Sequence, residues 1–244
     1  MHRFYANDIG IIEGFACLTD EDTSHALRVL RLKIGDPIEL MCNGIRYAAE
    51  LAESENGTAR VRILSEIPSA EPSLRVTLYQ GIPKSDKMDL IVQKATEIGI
   101  HSVVPVLMDR CVSRPDPADF DRKCERWQKI AREAGKQSGR ELIPEIQSLT
   151  RLSSLSSLFA THDAVIVPWE DQEGYGPKAF ASDHPDLHSL GIVIGPEGGI
   201  SASEIETLKH YGCHPITLGP RILRTETAGL AALCAIMCLY GEME

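Results

Sequence analysis

The chain reads as α/β, with a small β-barrel over residues 1–70 and then an open, mostly parallel sheet with covering helices over 74–244. Three observations carry that reading. Asn43-Gly44 and Asn56-Gly57 each separate runs of strand character, the local signal for tight hairpins. From Leu74 onward, hydrophobic strands alternate with helical segments, a pattern that requires a parallel sheet covered on both faces. Near the C-terminus, LGIVIGPEGGIS (190–201) and HPITLGPRILRTETA (214–228) each place a glycine- and proline-bearing turn directly after a strand. Strand ends of this kind are where open α/β sheets bind ligands.

Taken in order, TDEDTSHALRVLR predicts a short helix capped near Thr19–Asp22, with acidic residues in its first turn. A Gly35-Asp36-Pro37 turn follows, then the strands PIELMC, IRYAAELAE and TARVRILSE. IPSAEPS (67–73) has no hydrophobic periodicity and marks the domain boundary. RVTLYQG (75–81) is a strand, IPKSDKM a polar loop, and DLIVQKATEIG (89–99) a helix with Gly99 as its C-cap. HSVVPVLM (101–108) is the next strand. Residues 118–138 form a basic helix with Phe120, Trp127, Ile130, Ala131 and Ala134 on its inner stripe. LIPEIQ, DAVIVPWE (163–170), LGIVIG and HPITLG supply the remaining strands, and TAGLAALCAIMCLY a final helix apolar around most of its circumference.

Composition is that of a soluble globular chain: 43% apolar and 25% charged, with a net charge of −10. The start lacks a signal-peptide pattern, and the longest apolar run, Ala228 to Tyr240, is shorter than the roughly 20 residues of a membrane span. A cytoplasmic protein is expected. Its seven cysteines form no CxxC pair and read as reduced, small hydrophobes. His184 and His188 have helical ligand spacing, but Pro185 stands between them, so no metal site is expected. The acidic total hides a basic segment: 122–140 carries seven basic residues against two acidic ones. Such a surface can bind a phosphate backbone; the alternative is a solvated helix face.

In GPEGG (195–199), Gly198-Gly199 permit backbone angles closed to other residues, and Ser201 can cap the next helix. Neither a GxGxxG fingerprint nor a GxxxxGK[ST] phosphate loop is present, and Glu197 would repel phosphate. The turn is either structural or built for a cationic or hydroxyl-bearing ligand. In PRILRTETA (220–228), Thr225 or Thr227 can cap the last helix, while Arg221, Arg224 and Glu226 crowd one loop between apolar segments. An Arg–Glu pair stitching the loop and a functional role both fit these charges.

These two motifs resemble the SPOUT class of S-adenosylmethionine-dependent RNA methyltransferases, and within it the RsmE family, which methylates N3 of a uridine in 16S ribosomal RNA. MHRFY, HALRVLRLKIGD (25–36), KMDLIVQKATEIGI (87–100), VVPV with Arg110, and EAGKQSGRELIPEI (133–146) extend the resemblance over nearly the whole chain. Where the family usually shows Glu-Arg-Ser, this chain has Asp109-Arg110-Cys111.

The resemblance implies a PUA-like RNA-binding domain over 1–70 and a SPOUT methyltransferase domain over 74–244 carrying a deep C-terminal trefoil knot, an exception to the rule against threaded chains. It implies that the two turns cradle S-adenosyl-L-methionine. The first would contribute Ile194, Gly195, Glu197, Gly198 and Gly199. The second would contribute Leu218, Gly219, Ile222, Leu223, Arg224, Thr225 and Ala228, with Val167 and Pro168 in a third wall. It also implies a homodimer paired through the knot, acting on 16S rRNA or the small ribosomal subunit, with no membrane or metal.

On that reading the reaction is mainly alignment, with help in removing the uracil N3 proton and stabilising charge on the ring oxygens. Arg224 or Arg110 would supply the positive charge, and Glu197, Glu226 or water would take the proton. Because N3 lies on the pairing edge, the base must be unpaired or extruded. Arg3, Arg28, Arg31, Lys84, Lys87, Arg132 and Arg140 would hold the flanking backbone. Two other readings are a related SPOUT enzyme acting on a ribose 2′-hydroxyl or a tRNA base, and a non-enzymatic RNA-binding or ribosome-assembly factor.

Overall fold

The computed structural model describes residues 2–55, 57–112 and 117–244; Asn56, half of the second Asn-Gly signal, lies outside them. The chain divides into two compact units, Met1–Glu71 with Gly135–Leu142, and Pro72–Ala134 with Ile143–Glu244.

In the first unit, β1 (His2–Ile12), β2 (Phe15–Leu18), β3 (Pro37–Cys42), β4 (Ile45–Glu55) and β5 (Thr58–Ile67) close into a barrel in the order β1-β2-β5-β4-β3. β1 runs parallel to β3, and the other neighbours are antiparallel. Asn43 and Gly44 both take positive φ, 52° and 75°, the pair of left-handed residues that a type I′ hairpin needs between β3 and β4. Phe4, Leu18, Leu40, Leu51 and Val61 fill the barrel interior. The predicted helix near Thr19 is shorter than its sequence pattern. α1 (Asp20–Ser24) starts at Thr19, whose side chain accepts the Asp22 N–H, and one π turn (His25–Val29) follows.

Among the described residues of this unit, three charged ones are buried: Asp22 at 1% exposure, Arg140 at 7% and Glu141 at 4%. Each has partners. Asp22 accepts the Tyr5 N–H and the Lys136 ammonium, both at 2.7 Å. Arg140 forks onto Glu71 at 2.9 and 2.7 Å. Glu141 accepts the Ala70 N–H at 3.0 Å and the Ser69 hydroxyl. These bonds fasten 135–142 to the barrel residues.

The second unit comprises β6 (Arg75–Gly81), α2 (Lys87–Ile98), β7 (Ser102–Leu107), α3 (Pro117–Ser138), β8 (Glu145–Ile146), β9 (Thr150–Arg151), α4 (Ser156–Phe159), β10 (Ala164–Pro168), α5 (Pro177–Asp183), β11 (Ser189–Ile194), α6 (Ala202–His210), β12 (His214–Ile216) and α7 (Thr225–Leu239). The last turn of α3 belongs to the first unit. Its sheet runs β12-β10-β11-β6-β7-β8, with β9 also on β7, and every pairing is parallel. Parallel strands place their C-terminal ends on one edge, so the loops after β10, β11 and β12 converge there.

α2 begins two residues before the predicted start and stops at Gly99, left-handed at φ 112°. Of the α3 stripe, Phe120, Trp127, Ala131 and Ala134 are buried. The LIPEIQ and HPITLG segments pair over only Glu145–Ile146 and His214–Ile216. Pro215 is tolerated because β12 is an edge strand. α7 buries Gly229, Ala232, Leu233, Ile236 and Met237 and exposes Cys238 and Leu239. Gly229 faces the sheet at Leu78 and Ile194.

Removing one partner of a buried ion pair strands the other. Asp22→Ala should therefore cost about 3 kcal/mol, read as a lower denaturant midpoint. An unchanged midpoint would show that the barrel does not depend on this carboxylate.

Candidate functional site

The three converging loops wall a pocket of about 910 Å³. Pro168 to Gly174 contribute one wall, Ile194 to Ile200 the second, and Thr217 to Ala228 the third. Most of the residues nominated from the sequence line it: Pro168; Ile194, Gly195, Glu197 and Gly199; and Leu218, Gly219, Ile222, Leu223, Arg224, Thr225 and Ala228. Two do not. Val167 is buried within its strand, and Gly198 faces Arg110, where a Cβ would come within 2.9 Å of the arginine Cβ. Gln172, Glu173, Gly174 and Thr217 also line the pocket and were not nominated. Their position just past β10 and β12 was the available signal.

The first turn is shaped by close backbone approach. A Cβ on Gly195 would fall 2.9 Å from the Gly199 carbonyl carbon, and Gly199 takes φ +72°. Ser201 caps α6 as predicted, in a reciprocal capping box with Glu204. Glu204 also accepts the Asp109 N–H at 2.8 Å, and the Ser201 hydroxyl donates to the Asp109 carboxylate at 3.1 Å. Arg110 donates to the Gly198 carbonyl at 2.8 Å. The Cys111 sulfur accepts the Met108 N–H at 3.3 Å. Asp109 and Arg110 thus brace the glycine turn, while Cys111 closes on its own strand end.

The second turn departs from its sequence reading. α7 begins after Arg224 with no side-chain cap. Thr225 is no cap because its hydroxyl donates to the Gly195 carbonyl at 2.6 Å and accepts from Gln80 Nε2 at 2.9 Å. No Arg–Glu pair stitches the loop: Glu226 pairs with Lys87 at 3.0 Å. Among the described residues, no hydrogen bond or ion pair engages the exposed Arg221 or Arg224 side chains. Ile222 beside them is 83% exposed.

Lys87 also pairs with Glu197 at 3.1 Å, and the Lys84 N–H donates to that same carboxylate at 3.0 Å. Burial alone would raise the pKa of Glu197, but the Lys84 amide and the Lys87 ammonium outweigh it and hold the group below its ordinary value. Glu226 is likewise held low, burial being overcome by its own amide, Lys87 and the positive field of Arg224. Lys87 is raised, chiefly by its bonds to Glu226 and Glu197.

Of the other nominated cations, Arg28, Arg31, Lys84 and Arg132 have exposed side chains. Arg3 is bound to Glu39 at 2.9 Å and to the Gln137 carbonyl at 3.1 Å. Arg140 is buried on Glu71. Among the described residues, no group of three or more His, Cys, Asp or Glu could hold a metal, and no helix is long and apolar enough to cross a membrane.

An RNA methyltransferase domain family matches residues 70–237, and an RNA methyltransferase PUA domain family matches 18–64. The chain is 36% identical to the ribosomal RNA small subunit methyltransferase E of Bacillus subtilis (strain 168), over 90% of this chain and 88% of that one. It resembles a ribosomal RNA small subunit methyltransferase E from Neisseria gonorrhoeae solved bound to S-adenosyl methionine, at 30% identity and a TM-score of 0.81, covering 98% of each chain. A Legionella pneumophila protein solved with bound SAM is similar at 28% identity and a TM-score of 0.82, over 97% of this chain and 96% of that one.

The Lys87 cluster has a defined pH window. Lowered carboxylate pKa values contribute stability above about pH 4.3, lost as pH falls through the folded values; the raised lysine contributes below about pH 10.4, lost as pH rises through its folded value. Wild type should therefore unfold at a higher temperature than Lys87→Met between about pH 5 and 9, and the gap should close on acidification below about pH 4. A gap independent of pH would contradict the ionic tie.

Proposed function

We propose that the chain, which belongs to the RNA methyltransferase family, transfers the methyl group of S-adenosyl-L-methionine to N3 of a uridine in the 16S ribosomal RNA of the small subunit. The observation that carries this reading is the pocket at three parallel strand ends, floored by glycines and bordered by an unengaged arginine. Its chemistry fits the donor. Ile194, Leu218, Leu223 and Ala228 offer apolar surface for an adenine, while Glu170 and Glu173 offer acceptors for ribose hydroxyls and a negative field for a sulfonium. Missing phosphate-loop glycines and a carboxylate at 197 disfavour a nucleotide phosphate there.

The donor supplies a methyl carbon already activated by positive sulfur. The protein's task is to align the uracil with it and manage charge and proton. Arg224 has the free guanidinium to stabilise negative charge on the uracil oxygens. Arg110, bonded to the Gly198 carbonyl, fixes the turn. Glu197 and Glu226 are both engaged by Lys87 and anchor the loop and the helix, and the N3 proton passes to solvent.

Residues 1–70 form the PUA-like RNA-binding domain and 74–244 the SPOUT domain. The exposed Arg28, Arg31, Lys84 and Arg132 meet phosphates on this reading, while Arg3, Lys87 and Arg140 are occupied within the protein. The C-terminal segment is a trefoil knot. Supporting this, β11 and β12 flank β10 on opposite sides, and the chain then returns so that α7 packs on β11, β6 and α2. The exposed apolar residues of α7 and Ile222 serve a homodimer interface, and the protein works in the cytoplasm.

Calorimetry should detect binding of S-adenosyl-L-methionine to the wild-type protein, and its absence would remove the donor assignment. Gly195→Ala should weaken that binding by about 10-fold or more, because the new Cβ has nowhere to go. Arg224→Ala should slow methyl transfer about 100-fold with a far smaller change in donor affinity. Unchanged turnover would take the charge-stabilising role away from Arg224. RNA affinity should fall steeply with added salt.

A further inference from the structure

Gln80 is fully buried in β6, a central strand of the sheet. Its amide nitrogen donates to the Gly81 carbonyl and to Thr225 Oγ1, each at 2.9 Å, and Thr225 passes the chain on to the Gly195 carbonyl. The amide orientation is fixed, since a flip would set its oxygen against the Gly81 carbonyl. Among the described residues, its Oε1 is left buried without a hydrogen-bond partner. An orphaned buried acceptor costs stability, so an apolar side chain would serve the core better. A cost of this kind on the strand leading into a site points to a role there.

A second tie starts seven residues later and joins the same two segments. Lys87 holds Glu197 of the first turn and Glu226 of the first turn of α7, at 3.1 and 3.0 Å. The Thr225 hydroxyl therefore ties residue 225 to residue 195, with Gln80, by donating to that oxygen, directing its hydrogen at the Gly195 carbonyl, and Lys87 couples 197 to 226 at the rim. Without the ammonium, two carboxylates would face each other and push the walls apart.

We propose that Gln80 and Lys87 are positioning residues that lock the glycine turn to the start of α7, so that the donor meets a preformed pocket. This rests on the methyl-donor reading of that pocket. If loss of either tie leaves about a tenth of the molecules in the competent arrangement, apparent affinity falls by the same factor.

The test is calorimetric titration with S-adenosyl-L-methionine, without RNA, of wild type, Gln80→Met, Lys87→Met and Lys87→Arg, alongside steady-state methyl transfer. Each methionine variant should bind the donor about 10-fold more weakly, with KM for the donor raised and kcat at saturating donor little changed. Lys87→Arg should recover most of the affinity. Unchanged donor affinity with a lower unfolding temperature would make both residues merely structural and overturn the proposal. So would a Lys87→Met protein that loses RNA affinity but keeps donor affinity, which is the behaviour of a phosphate contact. Wild type that fails to bind the donor would sink the parent reading instead. If Gln80→Met does not fold, Lys87→Met, at a partly exposed position, decides the question alone.

Discussion

A parallel ladder that sets β12 beside β10 and β10 beside β11 brings three loops distant in sequence to a single edge of the sheet, and the whole site depends on that register. The middle loop can lie flat only because Gly195 carries no side chain against Gly199. Glycine is a steric requirement within that loop. α7 packs over β6 and β11, with Gly229 facing Leu78 and Ile194.

Charge is distributed unevenly around the pocket, and the asymmetry separates holding from acting. The two carboxylates nearest the glycine turn and α7 are committed to Lys87 and held below their ordinary pKa. Arg110 and the Asp109 carboxylate are spent on the backbone and hydroxyl of the turn. Arg224 has no such commitment among the described residues, so its charge remains available to a ligand. Anchored groups give the pocket its shape, while the proposed function gives the Arg224 guanidinium the task of answering charge that develops during reaction.

Much of this was legible in one dimension because the signals were local. Asn43-Gly44 specifies its hairpin through backbone angles, Gly99 its helix end, and Ser201 with Glu204 its capping box. The two glycine turns marked the pocket because strand ends and unusual turns are adjacent in sequence. What escaped reading depends on partners far along the chain. The Thr225 hydroxyl looks like a cap until Gly195 and Gln80 are beside it. Lys87 in its polar loop and Arg140 at the end of a basic stretch look like free cations until Glu197, Glu226 and Glu71 reach them. The short β8 and β12 run inside longer apolar segments, where hydrophobic pattern alone cannot say how many residues will pair.

The central claim is methyl transfer to a single kind of atom, and nucleoside mass spectrometry reads that directly. Small-subunit ribosomal RNA from cells lacking the protein would be incubated with the purified chain and isotopically labelled S-adenosyl-L-methionine, then digested to nucleosides. The account predicts label in 3-methyluridine, absent from the untreated RNA. Label in a 2′-O-methylated nucleoside, or no label in RNA by a protein that binds the donor, would contradict it.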